Sequence, residues 1–376
     1  MVERVPGPVV TLAIFYALSF GALGVTLPFL PAYLHGLGLS VTQVGMLLAL
    51  SPAASLVAPP LWGKLADRTR RGDLVLLFVS LGGAFSFAPL LWVRGFGALV
   101  AVFAGYAFFN SAVTPLADSL TLGAVRKSGA DYAHVRLFGS IGFVVATTAF
   151  GTWGFAHARA TVAVPLVLMV LAGSWAALAH PPVAEAPHPL PATNPLRSRE
   201  GLTFLSACAL HWLACAPFNG GFAIHVHALG MPGWVVGFSA GLGVLAEVGV
   251  FALYPRLARV LAPRRWVLVS LGASALRWWG MAHARRPWEV IALTVLHGLT
   301  FGAFYAAAVQ YIASQVPDRM RAAGQGFFAM VTFGMGGVVG YLASGLGYDL
   351  MGGAALFQAA SGVELLAMAV LLCGGV

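Results

Sequence analysis

Charged side chains are scarce in this chain of 376 residues. Asp, Glu, Lys and Arg together make up 9% of it, against about 25% in an ordinary soluble domain. A water-soluble fold covers its surface with polar groups, and so few charges give too little cover for a chain of this length. The scarcity excludes a conventional soluble protein and favours one whose apolar side chains face lipid.

Cysteine is rare as well. Cys208, Cys215 and Cys373 are the three in the chain, and each lies in an apolar run. Their odd number and apolar surroundings argue against a disulfide framework and against a metal site. The sequence also lacks a phosphate-binding glycine loop with its lysine, which argues against transport driven by ATP. No enzyme activity, metal or cofactor is therefore expected.

The apolar residues, 59% of the chain, form continuous runs rather than the alternating short segments of a β-barrel. A bilayer requires every backbone polar group to be bonded internally, so the runs predict transmembrane helices. Charge, Pro and Gly divide them into twelve spans, which predicts an all-α membrane protein. The predicted spans are 8–34, 40–62, 74–93, 96–124, 136–156, 160–180, 201–228, 233–257, 265–283, 287–314, 322–347 and 353–373.

The basic residues predict an orientation for these spans. Most of them fall at the N-terminus and in alternate loops, whereas the opposite loops hold only Arg94, Arg159, Arg285 and Arg286. Cytoplasmic loops carry the excess of Lys and Arg in membrane proteins, so both termini are expected in the cytoplasm of a cell (inner) membrane protein. The net charge of +9 thus marks topology and not a nucleic-acid partner.

A proline-rich stretch near the midpoint predicts two domains. Residues 181–200 contain six prolines and both signs of charge, as an extended linker does. We therefore expect an N-terminal six-helix bundle at 1–180, a cytoplasmic linker at 181–200 and a C-terminal six-helix bundle at 201–376. No cleavable signal peptide is evident, because the first apolar run is long and is followed by further spans.

The halves also resemble each other weakly. A shift of 192 positions places Gly45 on Gly237 and Lys64 on Arg256, each pair lying in the second span of its half or in the loop that follows. Two such parallel repeats are typical of transporters that hold the substrate between the halves and rock the halves about it.

The loop after the second span carries a recognisable motif, Gly63-Lys64-Leu65-Ala66-Asp67-Arg68-Thr69-Arg70-Arg71. It resembles the signature of the major facilitator superfamily at the same position. The resemblance implies the twelve-helix major facilitator fold. We expect Gly63, Asp67, Arg68 and Arg71 to clamp neighbouring helix ends in one conformational state, the alternative being that their charges only set topology.

A narrower likeness extends over most of the chain. The segments PLADSL (115–120), YAHVRLFGSIGF (132–143), GVLAEVGVF (243–251) and LHGLTFGAFYAAAVQYI (296–312) resemble the phenylpropionate permease-like branch, which is akin to the oligosaccharide and nucleoside proton symporters. This resemblance implies a proton-coupled permease. The substrate is left open among aromatic acids, sugars and nucleosides. Glu364, inside the last span, is not part of the resemblance.

Three ionisable residues lie at similar depth in the second half: Glu247, Arg277 and His297. Such groups are costly in a bilayer and are default functional candidates. A buried carboxyl can exchange a proton near neutral pH, so we expect this cluster to couple protonation to transport. The alternative is a static ion pair that only holds the helices together.

Asp118 and Arg136 lie on the fourth and fifth predicted spans, and the short loop between them allows them to meet. The lactose permease, which this chain resembles here, uses an acid–base pair on the same two spans for substrate binding. We expect the pair to contact substrate or to form a gate; a permanent structural pair is the alternative.

Weaker candidates are polar or aromatic groups within spans, where interhelical packing is the commoner role. Those that could hydrogen-bond or stack on a solute are Asn110, His211, Asn219, Trp278, Trp279, Tyr305 and Gln310. His225 and His227 have the spacing of a metal pair but no further ligands, so we expect them to be solvated. The role of Glu364, a second proton site or an interhelical pair, is left open.

The favoured function is a proton-coupled symporter of a small organic solute, with protons, the solute and the lipid bilayer as its partners and a monomer as its expected state. Three alternatives remain. They are a proton-driven exporter of hydrophobic compounds, a non-transporting membrane scaffold, and a membrane-embedded enzyme, the last disfavoured by the lack of a nucleophile–base pair.

Overall fold

A computed structural model describes residues 7–154, 157–178, 196 and 198–374, and in this part of the chain every regular element is a helix. The first helices are α1 Pro8–Gly36, α2 Val41–Ser55, α3 Ala58–Thr69, α4 Gly72–Phe87, α5 Phe96–Asn110, α6 Val113–Ser128, α7 Tyr132–Trp153 and α8 Ala160–Ala176. The later ones are α9 Arg199–Ala228, α10 Trp234–Leu257, α11 Pro263–His283, α12 Pro287–Val295, α13 Phe304–Gln315, α14 Arg321–Ala329 and α15 Gly336–Cys373. Apart from 196 and 198–200, the predicted linker lies outside the described residues.

In the described chain, nine helices are long and apolar enough to span a membrane when adjoining pieces are counted as one helix. Helix α8 is apolar but shorter. These helices are built from the apolar runs of the sequence, and many of their large apolar side chains are exposed, as expected of surfaces that face lipid. The chain is therefore an all-helical, multi-pass membrane protein.

The chain divides into two compact units. The first comprises the residues up to 38 and those from 50 to 187, and the second comprises 39–49 and the residues from 188 onward. In the second unit, the carboxylate of Asp349 accepts hydrogen bonds from the backbone N–H of Val41 at 3.1 Å and of Thr42 at 2.7 Å. These bonds cap the first turn of α2, which explains why its beginning is grouped with the later helices.

Two irregular segments interrupt the helices of the second unit. A π-helical turn at Gly298–Ala303 joins α12 to α13, and a second one at Met330–Met335 joins α14 to α15. Within α15, Gly352 has a φ of 77°, a left-handed conformation that glycine adopts without strain. The two last predicted spans, 322–347 and 353–373, meet at this kink.

Close helix contacts organise the first unit. Its core is formed mainly by α1 with α4, α6, α7 and α8, around buried side chains such as Phe15, Tyr16 and Leu76. Gly142 of α7 packs directly on α1, since a Cβ atom added there would lie 2.1 Å from the carbonyl oxygen of Ala17. Backbone cannot yield as a flexible side chain can, so glycine is required for this approach.

We expect Gly142→Ala to destabilise the protein by about 1–3 kcal/mol, because the added methyl group must push α1 away from α7. Gly249 of α10 is the matched control, since nothing lies within 4 Å of a Cβ atom there. At an open helical site alanine is favoured over glycine by roughly 0.5–1 kcal/mol. Thermal unfolding in detergent measures both variants; equal midpoints for Gly142→Ala and Gly249→Ala would contradict the packing.

Candidate functional site

Glu247 lies in the interior of α10, and its carboxylate faces His297. Oε2 of Glu247 is 3.7 Å from Nε2 of His297, and the two side chains are 20% and 23% exposed. The predicted neighbours on the eighth and tenth spans are thus in contact. Both side chains therefore retain some exposed surface.

Arg277 of α11 lies behind His297 and is 1% exposed. Its Nη1 atom donates to Nδ1 of His297 at 3.1 Å and to the Oγ1 atom of Thr300 at 2.9 Å. The structure therefore brings Arg277, His297 and Glu247 into one chain of polar contacts, with Arg277 at the buried end.

The hydrogen bond from Arg277 fixes the tautomer of His297. A guanidinium has only donors, so Nδ1 of His297 must accept. The ring proton then lies on Nε2, the nitrogen that faces Glu247, and the imidazole is neutral. His297 consequently directs an N–H group at the Glu247 carboxylate, and the orientation of this group depends on Arg277.

A glycine in the π-helical turn allows this approach. A Cβ atom added at Gly298 would lie 2.7 Å from the carbonyl oxygen of Ala246, so the turn packs on the backbone of α10 immediately beside Glu247. π-Helical turns occur frequently at functional sites. Here the turn also contains Thr300, which accepts from Arg277.

Aromatic rings surround the polar chain. The guanidinium carbon of Arg277 lies 4.3 Å from the ring centre of Phe218 and 4.7 Å from that of Trp278. The ring of Phe301 stacks on His297 with centres 5.6 Å apart. Cation–π contacts of this kind stabilise a buried cation by about 0.5–2 kcal/mol each, and they exclude water from its faces.

A second polar cluster lies beside Arg277. Its residues were noted singly in the sequence, but their grouping was not predicted. Nδ1 of His211 is 3.0 Å from Oε1 of Glu364, and both side chains are 0% exposed. Nε2 of His211 lies 3.0 Å from the carbonyl oxygen of Thr300, and the indole N–H of Trp278 donates to Glu364 at 3.0 Å. The pair thus holds Thr300 and Trp278, two of the residues that contact the guanidinium of Arg277.

The position of this pair bears on two sequence-based expectations, a solute contact for His211 and no metal site at the cysteines. Both ring nitrogens of His211 are engaged, Nδ1 by Glu364 and Nε2 by the carbonyl of Thr300, so neither is left for a solute. Cys215 completes a group of three possible metal ligands, with its sulfur 3.8 Å from Nε2 of His211. Both ring nitrogens of His211 are already engaged, which favours a hydrogen-bonded network over a metal site.

In the first unit, the predicted acid–base pair has a third member. Nε of Arg136 lies 3.9 Å from Oδ1 of Asp118, whereas the hydroxyl of Tyr16 donates to the same oxygen at 2.5 Å. Arg136 also lies over the ring of Phe20, 4.0 Å from its centre. The Asp118 carboxylate is therefore hydrogen-bonded to Tyr16, whereas the Arg136 guanidinium packs on the face of Phe20.

Asn110, at the end of α5, lines a cavity of about 60 Å³ in the same unit. Ser19, Phe20 and Thr114 are among its other walls. Because a single water needs roughly 10–15 Å³ by this measure, the cavity holds a few waters or a small polar group. Phe20 lies between the cavity and Arg136, which places Asn110 and the acid–base pair in one region.

The three remaining predicted solute contacts lie in the second unit. Asn219 is half-buried on α9 next to Phe218. Tyr305 is 38% exposed and stacks on Phe301 with ring centres 5.9 Å apart. Gln310 is exposed and accepts a hydrogen bond from Tyr254 at 3.1 Å. Tyr305 thus extends the aromatic row that begins at His297.

The loop motif lies at the end of α3. Asp67 and Arg68 are exposed, and a Cβ atom on Gly63 would meet open space. Arg71 follows the helix and pairs with Asp73 at 3.2 Å; these hydrogen bonds and the Asp73 charge raise the pKa of the Arg71 guanidinium. The motif's charged side chains are therefore exposed, and Arg71 is paired within the first unit.

The expectation that His225 is solvated is wrong. This side chain is 7% exposed and packs on Phe357, with ring centres 5.3 Å apart. The reason is that α9 continues to Ala228, which turns His225 toward α15 while His227 remains exposed.

Comparison with known proteins gives the family. The model of the MFS_1-like family matches residues 9–359. The maltose permease of Geobacillus stearothermophilus is 30% identical over 349 residues, covering 86% of this chain and 83% of the permease. The probable 3-phenylpropionic acid transporter of Escherichia coli (strain K12) is 30% identical over 321 residues, covering 81% and 82% of the two chains.

A solved structure shows the same fold. The crystal structure of the nucleoside transporter NupG superposes with a TM-score of 0.86 at 18% sequence identity, covering 98% of each chain. These similarities confirm the predicted membership of the major facilitator superfamily and the absence of an enzyme function. The chain belongs to the MFS_1-like family and is a multi-pass membrane transporter of small solutes.

Proposed function

We propose that this protein is a proton-coupled symporter for a small organic solute in the cell (inner) membrane. It works as a monomer with both termini in the cytoplasm. The observation that carries the proposal is the polar chain of Glu247, His297 and Arg277, in which a partly exposed carboxylate faces a neutral imidazole oriented by a buried guanidinium.

The proposal includes twelve spans arranged as six and six. Besides the nine long apolar helices, α8 and α11 are of suitable length, and the kink at Gly352 divides the last long segment into two. The positive charge of alternate loops supports this count, because each added span changes the side on which every later loop lies.

Protonation of Glu247 would remove the negative end of the polar chain. The N–H of His297 then no longer faces a negative charge, and α10 is released from its electrostatic attraction to Arg277. A transporter changes state when a ligand stabilises one conformation over another, and a proton that alters this contact does so. Glu247 is therefore the proton carrier in this proposal, with His297 and Arg277 as coupling residues.

The solute belongs to the aromatic acid, sugar or nucleoside class. This range is supported by the maltose, 3-phenylpropionic acid and nucleoside transporters among the similar proteins. Asp118, Arg136 and Asn110 in the first unit, and Asn219, Tyr305 and Gln310 in the second, are the proposed solute or gate contacts. The motif residues Gly63, Asp67, Arg68 and Arg71 serve the conformational change.

We expect Glu247→Gln to lose accumulation driven by a pH gradient and to keep solute exchange. The amide preserves the shape and one acceptor oxygen but binds no proton, so the solute equilibrates without being concentrated. Uptake of labelled maltose, 3-phenylpropionate and uridine into vesicles, with and without an inward proton gradient, measures this.

Glu200→Gln is the matched control, since Glu200 is exposed in the first turn of α9. It is expected to accumulate solute as the unmodified protein does. A Glu247→Gln protein that concentrates solute with an unchanged pH dependence would remove Glu247 from the mechanism.

A further inference from the structure

The guanidinium of Arg277 has donors without acceptors. Its Nη1 atom is bonded to His297 and Thr300, whereas Nε and Nη2 have no hydrogen-bond partner among the described residues, although the side chain is 1% exposed. Buried polar groups are almost always satisfied, and a charged donor left unpaired within a bilayer is costly. Two nitrogen atoms of the guanidinium, which carry three N–H groups between them, thus lack an acceptor in the described part of the chain.

Arg277 also has no carboxylate partner within ion-pair distance in the described part of the chain. The two nearby acids are engaged elsewhere: Glu364 with His211 and Trp278, and Glu247 with His297. Paired donors along one edge of a guanidinium match the two oxygens of a carboxylate.

The second polar cluster adds no net charge. The carbonyl of Thr300 can only accept, so Nε2 of His211 carries a proton. One further proton lies between Nδ1 of His211 and the Glu364 carboxylate, and whichever group holds it, the pair is neutral. His297 is neutral by the same reasoning. The charge of this region therefore depends on Arg277 and on the protonation of Glu247.

Other titratable and charged groups of the surrounding helices do not change this balance. The helices packed around the site carry His211 and Cys215 on α9, Tyr254 on α10, Arg277 on α11, His297 and Tyr305 on the α12–α13 segment, and Tyr341 and Glu364 on α15. The phenols and the thiol are neutral in their ordinary protonation states. Without solute, Arg277 and an ionised Glu247 cancel.

We infer that Arg277 binds the carboxylate of an anionic solute and that Glu247 takes up one proton when it does. The inference rests on the proposed function and narrows its solute to a monocarboxylate. The loaded site then contains one cation, one solute anion and a neutral carboxyl, so it is again neutral. A neutral solute carried with a proton would leave a net positive charge in a low-dielectric region, which is unfavourable.

The surroundings of Arg277 indicate the rest of the solute. Phe218 and Trp278 cover the faces of the guanidinium, and Phe301 and Tyr305 continue the aromatic surface beyond His297. Such a lining favours an apolar or aryl body attached to the carboxylate. Sugars and nucleosides offer the Arg277 donors only neutral acceptors, which form weaker hydrogen bonds than a carboxylate does.

Ligand-induced stabilisation of the purified protein tests the binding step. The probes are a series of monocarboxylates from acetate to 3-phenylpropionate, the amide of each acid, maltose and uridine. Carboxylates with apolar bodies are expected to raise the unfolding midpoint, and the amides are not. Arg277→Gln is expected to weaken this binding at least ~100-fold, because two charge-assisted hydrogen bonds are lost. Glu247→Gln, which imitates the protonated state, should retain carboxylate binding at every pH.

Ion stoichiometry in proteoliposomes tests the coupling. If one proton accompanies each carboxylate, transport moves no net charge. A pH gradient is then expected to concentrate the carboxylate, and a potassium-diffusion potential alone is not. The inference is overturned if no carboxylate stabilises the unmodified protein, if amides, maltose or uridine stabilise it as well as the acids do, or if the potential alone drives uptake. These results differ from a failure of the proposed function, in which Glu247→Gln would still accumulate solute while carboxylate binding to Arg277 persisted.

Discussion

Glu364→Ala is expected to destabilise the protein by about 3–5 kcal/mol, the usual cost of removing one member of a buried charged pair. The substitution leaves the indole N–H of Trp278 without its acceptor and deprives His211 of its partner, at a site where both members of the pair are 0% exposed. It also leaves a cavity among α9, α11 and α15, whose contacts form much of the second unit.

Glu364→Gln separates the loss of hydrogen bonds from the loss of charge. The amide oxygen can accept from Trp278, and the amide N–H can donate to Nδ1 of a neutral His211, so the network is preserved. We expect an unfolding midpoint close to that of the unmodified protein for Glu364→Gln and a large decrease for Glu364→Ala. Equal decreases in the two variants would show that the charge of Glu364, and not its hydrogen bonding, stabilises the bundle.

His297→Phe is expected to lower proton-driven uptake by about 10–100-fold, because the hydrogen bond from the Arg277 guanidinium, of a kind that contributes about 1.5–3 kcal/mol, is lost together with the close contact to Glu247. The phenyl ring fits the stack on Phe301, so packing is retained. Nη1 of Arg277, however, loses an acceptor, and Glu247 loses the N–H group that faces it. Initial uptake of 3-phenylpropionate and of maltose, compared at two external pH values, measures the effect.

His134→Phe is the control for this substitution. His134 lies near the start of α7 with its side chain 82% exposed, and its pairing with Asp131 is a surface contact. Surface contacts of this type contribute little to stability or function. If His297→Phe and His134→Phe transport alike, the imidazole at position 297 has no part in coupling.

The sequence located the spans closely because length and hydropathy suffice for that purpose. The predicted span 201–228 corresponds to α9 at Arg199–Ala228, and the predicted span 233–257 to α10 at Trp234–Leu257. Irregularities inside spans were not predictable in this way. The π-helical turn at Gly298–Ala303 has the same apolar composition as the helices around it, and its close packing on α10 is seen only in the structure.

The site was predictable to the extent that ionisable residues are rare in apolar segments. Glu247, Arg277 and His297 were identified because each is unusual where it lies, and similar depth suggested that they meet. Partners of common residue type gave no such signal. Thr300 accepts from Arg277, and Tyr16 is bonded to Asp118, but a threonine or a tyrosine in a span is ordinary.

Pairing between residues far apart in the sequence could not be predicted either. His211 and Glu364 are 153 residues apart, and both stand out in the sequence as polar groups in apolar runs. Nothing in the spacing indicates that α9 and α15 are neighbours, so the two residues were considered singly. Once the fold brings these helices together, mutual pairing is the least costly way to bury both groups.

The protonation of Glu247 itself is the most direct measurement of the proposed mechanism. Infrared difference spectra of the protein in lipid, recorded as the pH is lowered, report the carbonyl stretch of a newly protonated carboxyl group. We expect a band that is absent in Glu247→Gln, present in Glu364→Gln and enhanced when 3-phenylpropionate is added. A band that persists unchanged in Glu247→Gln would show that another group takes up the proton, and the coupling role proposed for Glu247 would be wrong.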